Sequence, residues 1–249
     1  MGDKVLVTGS SGFIGRQISP FLEEHGFVVR GFDKIPCVQN ISEFIVGDIE
    51  DLDSIRVAVR GVDIVIHLAA HSDDGDFKRE LLGPNVVGVY NVLEALRLEQ
   101  VNRLVLASSI QAIDIYHIPD FVSPEDRGPI SNYGLLKILA EDMCNMYSRV
   151  HGLSVIAAQL GWVLKNQQEL EEMQATPQWE KLFLSRADMR SFFLQCVLAS
   201  TPSVAVLHAL SRQLDGDVFD MASSYEVLGF KPTDILSPET ASIEFEDES

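Results

Sequence analysis

Tyr133 and Lys137 stand four residues apart, a spacing that puts both side chains on one face of a helix. A free tyrosine ionises at about pH 10, too high for a base at neutral pH, and a neighbouring ammonium lowers that value by favouring the phenolate. The pair therefore joins an acid/base to a cation able to grip a hydroxyl-bearing ligand. Ser109 follows the apolar run Arg103–Ala107. A serine at the C-terminal end of a strand stands where open α/β sheets place their ligands. There its hydroxyl would orient a reacting oxygen toward Tyr133; in a purely structural role it would cap a turn. The chemistry open to these three groups is proton transfer at a carbinol oxygen.

A second constellation lies near the N-terminus, in Thr8-Gly9-Ser10-Ser11-Gly12-Phe13-Ile14-Gly15. Gly9, Gly12 and Gly15 permit a tight turn, a close approach of backbone to a pyrophosphate and close packing of the next helix on the sheet. Ser11, Phe13 and Ile14 lie between them, where the amides of a helix N-terminus would meet phosphate. Asp33 closes the following apolar run. A carboxylate at that point hydrogen-bonds ribose hydroxyls and repels a 2′-phosphate, which favours NAD over NADP, although Lys34 partly offsets the repulsion. Asp48 and Ile49, after the next run, are placed near the adenine. Asp48 has an alternative role as a helix cap.

These groups need a frame to position them. Short β-branched runs recur at Lys4–Thr8, Phe27–Phe32, Glu43–Val46, Asp63–Leu68, Arg103–Ala107 and Ser154–Gln159. Between them, segments with helical spacing are clearest in Val86–Glu99 and Tyr133–Val150. Such alternation predicts a Rossmann-type α/β fold, a doubly wound parallel sheet with right-handed crossovers. The runs are apolar throughout, as strands covered on both faces require. Pro20 falls inside the first predicted helix, where it removes a hydrogen bond and should kink the chain. Beyond Leu160 the pattern weakens. Lys165–Pro177 reads as a mobile polar insertion, Arg186–Ser200 as a helix, Val204–Leu207 and Val218–Met221 as short strands, and Ser224–Lys231 as a last helical turn. The expected organisation is a cofactor domain over 1–162, a small substrate cap with returning elements over 163–236, and an acidic disordered tail over 237–249.

Taken together, the motifs are similar to those of the extended short-chain dehydrogenase/reductases, the NAD-dependent epimerase/dehydratase family. The matching pieces are Thr8–Gly15, Asp33, Gly47–Asp51, His67–Ala70, Asn85–Ala95, Leu106–Ser109 and Tyr133–Lys137, in family order and spacing over roughly 4–162. The resemblance implies that Leu68, Ala69, Ala70, Asn85 and Ala107 line the cofactor together with Tyr133 and Lys137. It also implies a catalytic triad of Ser109, Tyr133 and Lys137, and subunit pairing through Val86–Glu99 and Tyr133–Val150 into a homodimer.

Within the family, Ser72, the segment Leu184–Asp188 and the closing Leu228–Pro232 resemble the uronate dehydrogenase-like sugar dehydrogenases. Ser72, Ser109, Gln111 and Trp162 are then the candidate substrate contacts. The chain departs from that group where an arginine clamps the sugar carboxylate: no Arg lies between Arg149 and Arg186, and Gln178 or a neighbour takes the place. Trp162 likewise replaces a serine. Lys165 and Lys181 are the available substitute cations. The segment Ile110–Ile113 carries no acidic pair of the dehydratase kind. The implied activity is hydride transfer from a hydroxyl-bearing carbon of a sugar to NAD, and the alternatives are an epimerase or dehydratase with transient oxidation and a dinucleotide-sensing module.

Composition narrows the partners. With 19 Lys and Arg against 37 Asp and Glu, the net charge is −18, a surface that repels nucleic-acid backbones. The apolar stretches are too short for a membrane span. Met1–Lys4 has no signal-peptide layout, and Cys37, Cys144 and Cys196 form no CxxC pair, which points to the cytoplasm. His67, His71 and the acids Asp73, Asp74 and Asp76 lack the further ligands a metal would need. Trp179 and Phe192-Phe193 are expected in the core.

Overall fold

The computed structural model describes residues 3–36, 40–200, 203–213 and 216–237. Seven strands form one parallel sheet in the order β3-β2-β1-β4-β5-β6-β7. They are β1 (Lys4–Thr8), β2 (Val28–Asp33), β3 (Glu43–Val46), β4 (Ile64–His67), β5 (Arg103–Ser109), β6 (Ser154–Leu160) and β7 (Val204–Ala209). Every pairing is parallel, with Val5 opposite both Val29 and Ile64. The order reverses at β1, which opens a crevice beyond the C-terminal ends of β1 and β4.

Alternation along each strand explains why the runs are apolar throughout. Val5, Val7, Ile64, Ile66, Val105, Ala107, Ile156 and Ala158 point to one face and join a core with Ile18, Leu22, Phe192 and Phe193. Leu6, Val65, Leu104, Leu106, Val155 and Ala157 point to the other and pack on Ile55, Val92, Leu96 and Cys144. The first face is covered by α1 (Phe13–Glu24), α6 (Arg186–Leu198) and α7 (Ala222–Leu228). The second is covered by α2 (Leu52–Val59), α3 (Val89–Glu99) and α4 (Asn132–His151). Truncating a fully buried residue such as Ile66 to Ala would cost about 2–5 kcal/mol.

The ends of these helices are set locally. Ser131 caps α4 by accepting from the Gly134 amide at 3.0 Å, and Gly152 ends it in the left-handed conformation. Asp51, not Asp48, caps α2, with its carboxylate on the Asp53 amide. Pro20 does lie inside α1, but the helix runs on to Glu24 as one span. Two π-helical turns, Phe77–Leu81 and Gly83–Gly88, precede α3, so the regular helix starts at Val89 rather than Val86.

Beyond β6 the structure corrects two readings. The polar stretch taken as an insertion holds a helix, α5 (Gln167–Ala175), followed by a 3-10 turn over Pro177–Leu182. Asn166 caps α5 by accepting from the Glu169 amide at 3.0 Å. The Asn-x-x-Glu spacing is a helix-start signal outweighed in the sequence by the polarity of the stretch. Val218–Met221 is not a strand; Phe219 makes an isolated bridge with Val122. Leu164, Leu170, Met173 and Phe183 form a small core of their own under α5. Cys144 and Cys196 are buried and free. Cys37, and the acidic tail from 238 onward, lie outside the described residues.

Candidate active site

A cleft of about 780 Å³ runs along the C-terminal ends of the strands, from the glycine turn to Trp162 and Trp179. At one end Gly9 takes φ +72°, and a Cβ there would stand 2.7 Å from the Ala69 amide nitrogen. A Cβ on Gly15 would stand 2.3 Å from the Gly9 carbonyl oxygen. Both positions therefore admit only hydrogen, and the turn presses directly on Leu68 and Ala69 after β4. α1 begins at Phe13 with no side-chain cap and no acid in its first turn. Its leading amides are left as donors for an anion.

Asp33 ends β2 and organises this turn. One carboxylate oxygen accepts from the Ser11 amide and the other from the Ile35 amide, each at 3.0 Å. A carboxylate has about four acceptor sites, so acceptor capacity remains for ribose hydroxyls. The Ser11 hydroxyl donates to the Ile35 carbonyl at 2.8 Å. Lys34 pairs with Asp48 at 2.9 Å and Glu50 at 3.4 Å, which holds its ammonium above the usual lysine range. The glycine cradle, the uncapped helix start and Asp33 fit a dinucleotide.

Tyr133, Lys137 and Ser109 meet at the middle of the cleft. α4 carries the first two, and the Lys137 Nζ stands 5.2 Å from the centroid of the Tyr133 ring. The ammonium donates to the Ala107 carbonyl at 2.8 Å, and burial brings its pKa down to about 8 against an opposing pull from Glu141. Burial pushes the Tyr133 phenol up to about 12; a hydrogen bond with Ser109 works downward, and the charge of Asp73 works upward. Desolvation governs the phenol, and its one downward pull comes from Ser109 rather than from Lys137 as the sequence suggested. Ser109 also caps the 3-10 turn Ile110–Ala112, accepting from the Gln111 amide at 3.2 Å, which is the structural role the sequence left open to it. Behind them Glu141 is buried, accepting from the Ser108 hydroxyl and from Gln159.

Of the sequence-derived positions, Gly9, Ser11, Gly12, Phe13, Ile14, Gly15, Asp33, Ile49, Leu68, Ala69, Ala70, Ser72, Ala107, Gln111 and Trp162 line this cleft. Asp48 and Asn85 do not. Asp48 accepts from the Glu50 amide and pairs with Lys34. Asn85, held in the second π-helical turn, pins the loop after β4 by bonding both the amide and the carbonyl of His71, at 2.7 and 3.1 Å. Gln178 donates to the Tyr116 carbonyl and is not in the cleft wall. His67 is buried against the Thr8 hydroxyl at 2.7 Å, and burial brings it down to about 3. Sequence reasoning missed Ile115, Glu169, Glu172 and Trp179 as wall residues. Their segments carry no strand or glycine punctuation to place them. Among the described residues no three metal-ligating side chains converge, and no helix is long and apolar enough to cross a membrane.

Sheet order, glycine turn and the acid at the end of β2 define a dinucleotide-binding protein of the Rossmann type. The chain belongs to the NAD dependent epimerase/dehydratase family, whose model matches residues 5–173, and NAD is its cofactor. L-arabinose 1-dehydrogenase (NAD(P)(+)) of Haloferax volcanii is 27% identical over 252 residues, covering 93% of this chain and 96% of that protein. Uronate dehydrogenase of Pseudomonas syringae pv. tomato is 31% identical over 163 residues, 64% of this chain and 59% of that one. The crystal structure of glucuronic acid dehydrogenase from Chromohalobacter salexigens matches with a TM-score of 0.81 at 27% identity, covering 100% of this chain and 90% of that one.

Proposed function

We propose that the chain is an NAD-dependent dehydrogenase that oxidises a hydroxyl-bearing carbon of a sugar. The observation that carries this reading is the convergence of Tyr133, Lys137 and Ser109 in the dinucleotide cleft. The similar proteins named for arabinose and uronate oxidation support the sugar class.

Ser109 orients the substrate hydroxyl, and Tyr133, as phenolate, takes its proton while the carbon–oxygen double bond forms. NAD, when bound, supplies the acceptor for the hydride leaving that carbon. Lys137, fixed on the Ala107 carbonyl, presents its ammonium over the tyrosine ring and toward the cleft. Asp33 holds the ribose end. Residues 163–236 supply the substrate cap and returning elements, a reading supported by the separate small core of Leu164, Leu170, Met173 and Phe183. A cytoplasmic setting belongs to the same reading, supported by two buried free thiols.

Subunit pairing is part of the proposal. Leu135, Leu139, Met146 and Val150 form an exposed apolar stripe on α4, and Val87, Tyr90 and Leu98 are exposed along α3 and the turn before it. Light scattering on the purified protein should give twice the chain mass of 27.6 kDa.

The deciding experiment measures NADH formation from NAD across a panel of sugars, with Tyr133→Phe alongside. Turnover should fall by roughly 10²–10⁴ in the variant, the usual worth of a general base, with NAD affinity within a few-fold of wild type. Equal turnover by the variant would remove Tyr133 from the role.

A further inference from the structure

The substrate end of the cleft carries a feature that neither the glycine turn nor the catalytic groups use. Trp162, just after β6, and Trp179 meet edge-on with ring centroids 5.7 Å apart, and Tyr116 extends the row 5.4 Å from Trp179. Trp179 is anchored by its indole N–H on the Ile115 carbonyl, at 3.2 Å. The Trp162 indole N–H donates to Oε2 of Glu169 at 3.1 Å, and the Lys165 amide donates to the same oxygen at 2.9 Å. The Lys165 ammonium stands 3.7 Å from the other oxygen, Oε1.

Glu169 thus does two things at once. It fixes the plane of an aromatic wall, and it pairs with Lys165. Three lysines line the cleft: Lys34, Lys137 and Lys165. Lys34 is held by Asp48 and Glu50 beside the glycine turn, and Lys137 is bonded to Ala107 under Tyr133. The residues outside the described set contain no Lys or Arg. Against these the cleft is also lined by Asp73, Glu169 and Glu172, and by Asp33 at the glycine turn. The charge of Asp73 already reaches the Tyr133 hydroxyl.

We propose that Glu169, acting with Trp162, makes this cleft selective for a neutral aldose, a sugar bearing neither carboxylate nor phosphate. The C–H face of a sugar ring suits an indole wall, and sugar hydroxyls donate well to carboxylates. A carboxylate or phosphate on the substrate would meet like charge, with the nearest cation already paired; rejection by unmatched charge is a common source of selectivity. The inference rests on the sugar-dehydrogenase reading above and assigns its substrate class.

The test uses matched sugars differing at one carbon: D-galactose, D-galacturonate and galactose 6-phosphate, with the corresponding glucose set. NADH formation gives kcat/KM for each. Binding is read separately by intrinsic fluorescence in the Tyr133→Phe protein with NAD, because the chain's two tryptophans both line the cleft. At least a tenfold preference for the neutral sugar is expected in both readouts. Glu169→Gln keeps an acceptor for the indole but removes the charge and releases Lys165, so it should shrink that preference at least threefold. A role confined to bracing Trp162 and the Lys165 backbone would leave the ratio unchanged, and that result overturns the assignment to Glu169. Preference for the uronate or phosphate overturns the inference while leaving the dehydrogenase reading intact. Fluorescence response to the neutral sugar without NADH from wild type overturns the dehydrogenase reading alone. Silence in both readouts overturns both.

Discussion

The Lys137 ammonium lies 5.2 Å from the centre of the Tyr133 ring while its hydrogen bond goes to the Ala107 carbonyl. Its charge is thus held by the backbone of β5, over the ring face, and desolvation governs the phenol. The result is a tyrosine raised to about 12 beside a lysine lowered to about 8. Burial disfavours the charged form of both, which moves an acid up and a base down.

That relationship sets a pH dependence. Oxidation needs the phenolate, and kcat/KM reports groups of the free enzyme. With Tyr133 raised to about 12 and Lys137 lowered to about 8, kcat/KM for oxidation should climb with pH up to about 8, where loss of the ammonium begins to offset the gain in phenolate. Asp73→Asn removes one upward push on the phenol and should raise kcat/KM across that rising limb. A wild-type profile flat between about pH 6 and 8 would contradict the burial argument.

Cofactor choice should follow Asp33. Its carboxylate holds the Ser11 and Ile35 amides and repels a 2′-phosphate. Asp33→Ser keeps a small acceptor and loses the charge. The ratio of NADP to NAD affinity, measured by titration calorimetry, should rise at least tenfold. An unchanged ratio would mean that Lys34 or the Ile35 loop decides the preference.

Acid stability should be set partly by two buried imidazoles. Burial lowers His67 to about 3 and His208 to about 4, from an ordinary value of 6.5. Below pH 6.5 the unfolded chain takes up protons that the folded chain refuses. Each imidazole then removes roughly 1.4 kcal/mol of stability per pH unit until its folded value is reached. Glu43 and Glu94, held low by their ion pairs, act in the same sense at lower pH. Denaturant midpoints should therefore fall steadily from pH 6.5 to 4.5, and His208→Met should flatten that slope. Equal slopes in both proteins would exclude His208 as a contributor.

Much of this molecule was determined by its sequence alone. Apolar runs interleaved with helical spacing specify a sheet covered on both faces, because each strand must bury alternate residues in two separate cores. Gly9, Gly15 and Asp33 are legible because their roles are local: a turn, a close contact and a strand end. Tyr133 and Lys137 are legible because one helix turn brings them together. Tertiary structure decided the rest. Asn85 pins the His71 backbone, Lys165 pairs with Glu169, and Trp179 belongs to the cleft wall rather than to the core alone. Each of these depends on where a segment without strong periodicity folds back across the sheet edge. Side-chain partners on such segments are chosen by packing between distant elements, and the spacing of residues along the chain does not encode that choice.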